Sequence, residues 1–269
     1  MPFKSFIMDL SLNSKTALVS GSTQGIGKST AFELASMGAR VILLARNEEK
    51  LKSVVADLKE ISGESHDYLI ANFSKPSEVK KAAEEAVTRF GNIHILVNNT
   101  GGPPGGEAID ADVQEFRDAF EMHLICNHYL VTSLVNGMKS AGYGRIINVI
   151  STSVKQPLKN LGVSNTIRGA VANWSKTLSN ELGQYGITVN NVLPGATATG
   201  RLDSIASKKA AASGKSVDEV LEDMGKAVPM NRVAQPQEVA NGICFLASPA
   251  ASYINGINLP VDGGRTGSL

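Results

Sequence analysis

The chain alternates between two kinds of segment. Short runs of β-branched and aliphatic residues recur at 16–20 (TALVS), 41–45 (VILLA), 68–72 (YLIAN), 93–98 (IHILVN), 145–150 (RIINVI), 187–192 (ITVNNV) and 257–261 (INLPV). None shows the in/out alternation of a strand with one wet face; the pattern suits strands covered on both faces. Between them lie helical stretches at about 25–37, 47–61, 76–90, 112–139, 164–183 and 236–247. Boundary signals agree with these limits: Asn47 is placed to cap the second helix, Pro76 stands near the start of the third, and Gly91 ends it. Strand–helix alternation repeated this often predicts an α/β fold of Rossmann type, a doubly wound parallel sheet of about seven strands with helices on both faces. Its crossovers should be right-handed. No linker interrupts the pattern, so an N-terminal arm over 1–13 and one domain over 14–269 are expected. The irregular region is about 195–231, which contains KKAAASGKS and is weakly patterned. Its place after the C-terminal end of a strand predicts a lid over a cleft rather than a disordered insertion.

Composition narrows the function classes. Hydrophobic residues make up 42% and charged residues 19% of the 269 positions, the balance of a globular protein. A net charge of +1 gives no field that would favour nucleic acid or an anionic membrane. No apolar run is long enough to span a bilayer. The opening MPFKSFIMDLSLNSK does not read as a signal peptide, so a cytoplasmic location is expected. Cys126 and Cys244, each in an apolar helical stretch, are expected as buried free thiols. His66, His94, His123 and His128 show no metal-ligand spacing, and no metal site is expected.

The first strand runs into Gly21-Ser22-Thr23-Gln24-Gly25-Ile26-Gly27 and then a helix. Glycines at this place let the turn tighten and let backbone N–H groups approach a pyrophosphate, while the helix N-terminus adds positive potential. The spacing GxxxGxG differs from the GxGxxG fingerprint, but its position after the first strand of a doubly wound sheet points to a dinucleotide. An acidic residue ending the second strand would bind the ribose 2′-hydroxyl of NAD. Here the strand ends Ala45-Arg46-Asn47, with no carboxylate. Arg46 can pair with a 2′-phosphate, which predicts NADP(H); the plain alternative is a solvated arginine at a strand end.

Four motifs in order and in register carry a family resemblance: GSTQGIG, Asn98-Asn99-Thr100-Gly101 after the fourth strand, Pro194-Gly195 after the sixth, and the C-terminal stretch VPMNRVAQPQEVANGICFLASPAASYINGINLPVDGG. From Ser14 to Gly264 the chain resembles the short-chain dehydrogenase/reductase family, most closely its β-ketoacyl-acyl-carrier-protein-reductase-like branch. The resemblance implies that Asn72 and Phe73 flank the adenine, that Asn99, Thr100 and Gly101 line the middle of the cofactor, and that Pro194, Gly195, Thr197 and Thr199 belong to its nicotinamide end, with Thr199 touching the amide. The aspartate usual before the adenine is Asn72 here. A homo-oligomer, a tetramer, is also implied by the resemblance alone.

At the catalytic positions the chain departs from the family. Family reductases use a serine ending the fifth strand, then a tyrosine and a lysine as YxxxK, and an asparagine on the preceding long helix. Ser151 matches. The tyrosine position is Ser164, the lysine position Arg168, and the asparagine position, in FEMHL, His123. The chain also resembles a divergent subgroup with an SNxxR motif, here Ser164-Asn165-Thr166-Ile167-Arg168, and a VKQP stretch at 154–157. From periodicity alone, Ser164 and Arg168 are boundary residues of an amphipathic helix whose stripe is Ile167, Ala170, Val171, Trp174, Leu178 and Leu182. In the fold context they occupy the catalytic location. A serine hydroxyl is a poor terminal proton source, and an arginine stays protonated at neutral pH. His123, which can titrate near neutrality, is therefore the expected proton donor, with Lys155 and Lys159 next; a core histidine is its plain reading. The function expected is an NADP(H)-dependent oxidoreductase interconverting a small-molecule carbonyl and an alcohol with an atypical proton donor. The alternatives are a nucleotide-binding sensor or scaffold of the same fold, or a lyase. Lyase relatives with an arginine at the lysine position keep the tyrosine and lose the glycine loop, the reverse of this chain.

Overall fold

The computed structural model describes residues 8–268. Seven strands form one parallel sheet in the order β3-β2-β1-β4-β5-β6-β7. They are β1 Thr16–Ser20, β2 Arg40–Ala45, β3 Asp67–Ile70, β4 Ile95–Asn98, β5 Gly144–Val149, β6 Ile187–Pro194 and β7 Asn258–Val261. The missing alternation in these runs has a direct cause. Ala17, Val19, Val41, Leu43, Ile95, Val97, Ile147 and Val192 pack on one face against α1 (Gly25–Ser36), α2 (Glu48–Lys59) and α9 (Pro236–Ala247). Their neighbours Leu18, Ile42, Leu44, Leu96, Ile146 and Val189 pack on the other against α3 (Pro76–Phe90), α5 (Cys126–Ala141) and α6 (Gly162–Leu182). Both faces are dry, so both side-chain sets must be apolar. Cys126 and Cys244 are buried free thiols, one in each layer.

The helix boundaries follow local chemistry. The Asn47 side chain caps α2 by accepting from the Lys50 N–H at 2.9 Å. Pro76 occupies the first turn of α3, and Gly91 ends it. The stretch expected as one helix over 112–139 is two: α4 (Val113–Phe120) and α5, joined through a π turn at Glu121–Ile125. A π turn inserts one residue into the 3.6-residue period, which an apolar stripe does not reveal.

The region 195–231 is also more regular than its composition suggests. It forms α7 (Gly200–Ser213) and α8 (Val217–Lys226), joined at Gly214 in the left-handed conformation, with Ser216 and Glu219 making a capping box at the start of α8. The pair has its own small apolar cluster of Ala206, Ala210 and Val220 with Leu221 and Met224. Two of its three buried members are alanines, which is why the apolar stripe is faint in the sequence. Of the N-terminal arm, residues 1–7 lie outside the described residues; Leu12 is fully buried, and its N–H donates to the Met37 carbonyl at 2.8 Å.

Within the apolar sheet runs a row of amides. Asn98, Asn148, Asn191 and Asn258 are register partners on β4, β5, β6 and β7. The Asn98 Nδ2 donates to Asn148 Oδ1 at 2.8 Å, Asn148 Nδ2 to Asn191 Oδ1 at 3.1 Å, and Asn191 Nδ2 to Asn258 Oδ1 at 2.8 Å. Asn148 Nδ2 also donates to Ser175 Oγ on α6 at 3.2 Å, tying the row to the helix layer.

Candidate active site

The connection from β3 to β4 returns across the sheet, so the strand order reverses at β1 and β4. A crevice opens there at the C-terminal ends of the strands. It is a cavity of about 540 Å³ that stretches from the ends of β2 and β3, past the glycine turn, to the ends of β4, β5 and β6.

The glycine turn forms its floor. Gly21, Thr23, Gln24, Gly25 and Ile26 line the cavity. Gly21 has φ +59°, and a Cβ there would run into the Asn99 carbonyl; a Cβ on Gly27 would overlap the Gly21 carbonyl. Gly27 therefore packs the turn onto its helix without lining the cavity. Ser22 does not line it either: it is fully buried, and its hydroxyl accepts from the Leu44 N–H at 3.2 Å. These two positions, expected to touch a cofactor, instead shape the turn that would. Gln24 precedes α1 in extended conformation, and no side chain caps the helix. Gly25 and Ile26 of this uncapped first turn line the cavity, an arrangement that fits a dinucleotide pyrophosphate.

On one side of this floor Arg46, Asn72 and Phe73 line the cavity. Arg46 is exposed, whereas Asn72 is tied into its own turn, its Oδ1 accepting from the Ser74 N–H at 3.0 Å. On the other side lie Asn99, Thr100, Gly101, Pro194, Gly195, Thr197 and Thr199. Asn99 stitches β4 to the floor: its Nδ2 donates to the Ser20 and Gly21 carbonyls at 3.2 and 3.3 Å. Ser20 completes the stitch, its Oγ accepting from the Asn99 N–H at 2.9 Å. Sequence reasoning misses Ser20 because it reads there only as the last residue of an apolar strand.

Ser151, Ser164 and Arg168 all reach the cavity. Ser151 follows β5, and its Oγ accepts from the Ser153 N–H at 3.1 Å. Ser164 sits in the first turn of α6, which starts two residues earlier than its sequence pattern suggests. Arg168, one turn on, is 7% exposed. One of its N–H groups donates to the Val149 carbonyl at 3.1 Å, and its Nε has no hydrogen-bond partner. Burial and the nearby Arg201 guanidinium push its pKa down to about 10, which leaves it protonated at neutral pH. Asn165, between them, faces away: its Nδ2 donates to the Leu158 carbonyl at 2.8 Å and holds the loop after β5.

His123 does not fit the donor role expected of it. It is 1% exposed and does not line the cavity; the preceding Met122 does. Neither ring nitrogen has a hydrogen-bond partner. Burial, with Arg168 and Arg201 nearby, pushes its pKa down to about 2. A neutral imidazole at physiological pH is not a charged general acid. Lys155 and Lys159 also lie outside the cavity lining. The structure adds Arg201, in the first turn of α7, which donates to the Pro103 carbonyl at 2.6 Å. Its partner is 98 residues away in sequence, beyond the reach of local pattern. Among the described residues, no helix is long and apolar enough to cross a membrane.

Residues 21–266 match the family model described as enoyl-(acyl carrier protein) reductase. The chain is 34% identical over 260 residues to the 3-oxoacyl-(acyl-carrier-protein) reductase of Haemophilus influenzae, covering 94% of this chain and 98% of the relative. It is 29% identical over 261 residues to the 7alpha-hydroxysteroid dehydrogenase of Escherichia coli K12, covering 97% and 98%. Among solved structures, the L-sorbose reductase of Gluconobacter frateurii complexed with NADPH and L-sorbose superposes with a TM-score of 0.92 at 31% identity, over 97% of this chain and 100% of that one.

Proposed function

We propose that this chain, which belongs to the short-chain dehydrogenase/reductase family, is an NADP(H)-dependent oxidoreductase that interconverts a small-molecule carbonyl and an alcohol without the family's tyrosine and lysine. One observation carries the reading: Ser151, Ser164 and Arg168 converge on the same cavity as the glycine turn and Arg46. NADPH in the L-sorbose reductase structure supports the choice of cofactor.

Arg46 would hold the 2′-phosphate, and the uncapped start of α1 the pyrophosphate. When bound, the reduced cofactor supplies a hydride. The chain's part is to hold the carbonyl oxygen and stabilise the negative charge that grows on it. The Ser151 and Ser164 hydroxyls are the donors for that oxygen. The Arg168 side chain reaches the cavity, where it would meet the ribose hydroxyls, and its fixed positive charge favours the alkoxide. Among the described residues no Tyr, Lys, His, Cys, Asp or Glu lines the cavity, and in this reading solvent supplies the final proton once the alkoxide has formed. The same absence favours the second reading, a nucleotide-binding protein without redox turnover.

Oxidation of NADPH across a panel of ketones and aldehydes separates the two. Under the oxidoreductase reading at least one class is reduced, and Ser151→Ala binds NADPH normally but turns over on the order of 100-fold slower, since an oxyanion donor acts mainly in the transition state. Tight NADPH binding with no turnover on any class would establish the second reading. A cytoplasmic homotetramer with its nucleotide unit over 14–269 completes the proposal, and sedimentation tests the assembly state.

A further inference from the structure

Among the described residues, the charged side chains lining the cavity are Arg46, Arg168 and Arg201, and no aspartate or glutamate joins them. Arg46 lies at the β2 end; the other two lie together near the ends of β4 and β5. Arg168 is deeply buried with one unpartnered N–H. Arg201 uses one terminal nitrogen on the Pro103 carbonyl, and its guanidinium lies over Gly102, where a Cβ would approach to 3.4 Å. Among the described residues neither guanidinium is paired with a carboxylate, and each feels burial or the other's charge rather than an acid. Asp203, in the same turn as Arg201, does not line this cavity. The Gly200 and Arg201 N–H groups at the start of α7 add positive potential.

Arg168 is buried and Arg201 is exposed; a buried guanidinium with a second one beside it is costly unless something anionic completes the pair. The cofactor reading, on which this step rests, does not supply it. There the 2′-phosphate belongs to Arg46, the pyrophosphate to α1, and the ribose hydroxyls at Arg168 are neutral. We infer that the substrate carries an anionic oxygen group, a carboxylate or a phosphate, in addition to its carbonyl, and that Arg201 binds it with Arg168 behind. Arg201 is then the specificity-determining residue. Gly102 leaves its guanidinium room, and the Pro103 carbonyl fixes its orientation.

The test is calorimetric and needs no turnover. Wild-type protein saturated with NADP+ is titrated with matched pairs: 3-oxobutanoate and its methyl ester, 4-oxopentanoate and its methyl ester, and dihydroxyacetone phosphate and dihydroxyacetone. In at least one pair the anion should bind about tenfold or more tightly than its neutral partner, and raised salt should weaken the anion alone. The pair that responds distinguishes carboxylate from phosphate. Arg201→Ala and Arg201→Gln should remove the preference while NADP+ affinity is kept. Absence of any anion preference, with NADP+ bound, would overturn this inference alone, as would a preference that survives both variants. Failure of the wild type to bind NADP+ would instead overturn the cofactor reading beneath it.

Discussion

Arg46 stands exposed at the end of β2, facing the cavity. Its neighbour Asn47 is committed to capping α2, and Glu48 is engaged by the Tyr68 hydroxyl and Lys52. A charge-assisted phosphate contact contributes about 1.5–3 kcal/mol, so NADPH should bind about tenfold or more tightly than NADH. Arg46→Asp should reverse the order; equal affinities in the wild type would remove Arg46 from the site. His123 makes a different prediction. Its pKa is about 2 in the folded protein and about 6.5 in the unfolded chain. Below about pH 6.5 the unfolded state binds the proton and the folded state does not, so stability falls as pH falls through that value. The loss is about 1.4 kcal/mol at about pH 5.5. His123→Asn should abolish this part of the pH dependence, read from urea midpoints at about pH 8 and about pH 5.5. With a substrate that does not titrate, kcat/KM should have the same pH profile in both proteins. Arg46 is legible in the sequence as the residue that follows the second strand, whereas Ser151, Ser164 and Arg168 are placed by the family resemblance, periodicity alone making the last two boundary residues of a helix. The environment of His123 is not, because the π turn decides which way residues 121–125 face.

The π turn and the α7–α8 pair are elements that periodicity hides, one by adding a residue and the other by building its contact face from alanines. The pair has few apolar contacts outside its own small cluster, yet Thr199, Arg201, Leu202 and Ile205 at its start all line the cavity. If the pair acts as a lid, ligand at its inner face should stabilise it. Its outer surface carries Lys208 and Lys209, with Lys215 just beyond α7. Saturating NADPH should therefore slow tryptic cleavage at these lysines several-fold relative to the nucleotide-free protein. Unchanged cleavage would mean that the pair is as ordered without the cofactor as with it.

At the scale of the whole molecule, strand number, direction and layering follow from the apolar runs, because a parallel sheet needs both faces dry. What the runs do not announce is the amide row crossing four of the strands: its asparagines read as polar interruptions of the apolar runs. Asn148→Ala would strand the Asn98 Nδ2 and the Asn191 Oδ1 in a dry sheet. At about 1–3 kcal/mol for each unsatisfied group, unfolding stability should fall by about 2–6 kcal/mol, read by urea denaturation. A loss below about 1 kcal/mol would show that the neighbours find other partners. The row also bears on how the chain finds its alignment. Strands this rich in valine, isoleucine and leucine can slide past one another with little change in burial. A slide of one residue turns an asparagine into the opposite apolar layer, and a slide of two sets it beside an aliphatic side chain. Only the native stagger closes Asn98–Asn148, Asn148–Asn191 and Asn191–Asn258 together. Four amides thus act as an address for strands that hydrophobicity alone would leave interchangeable.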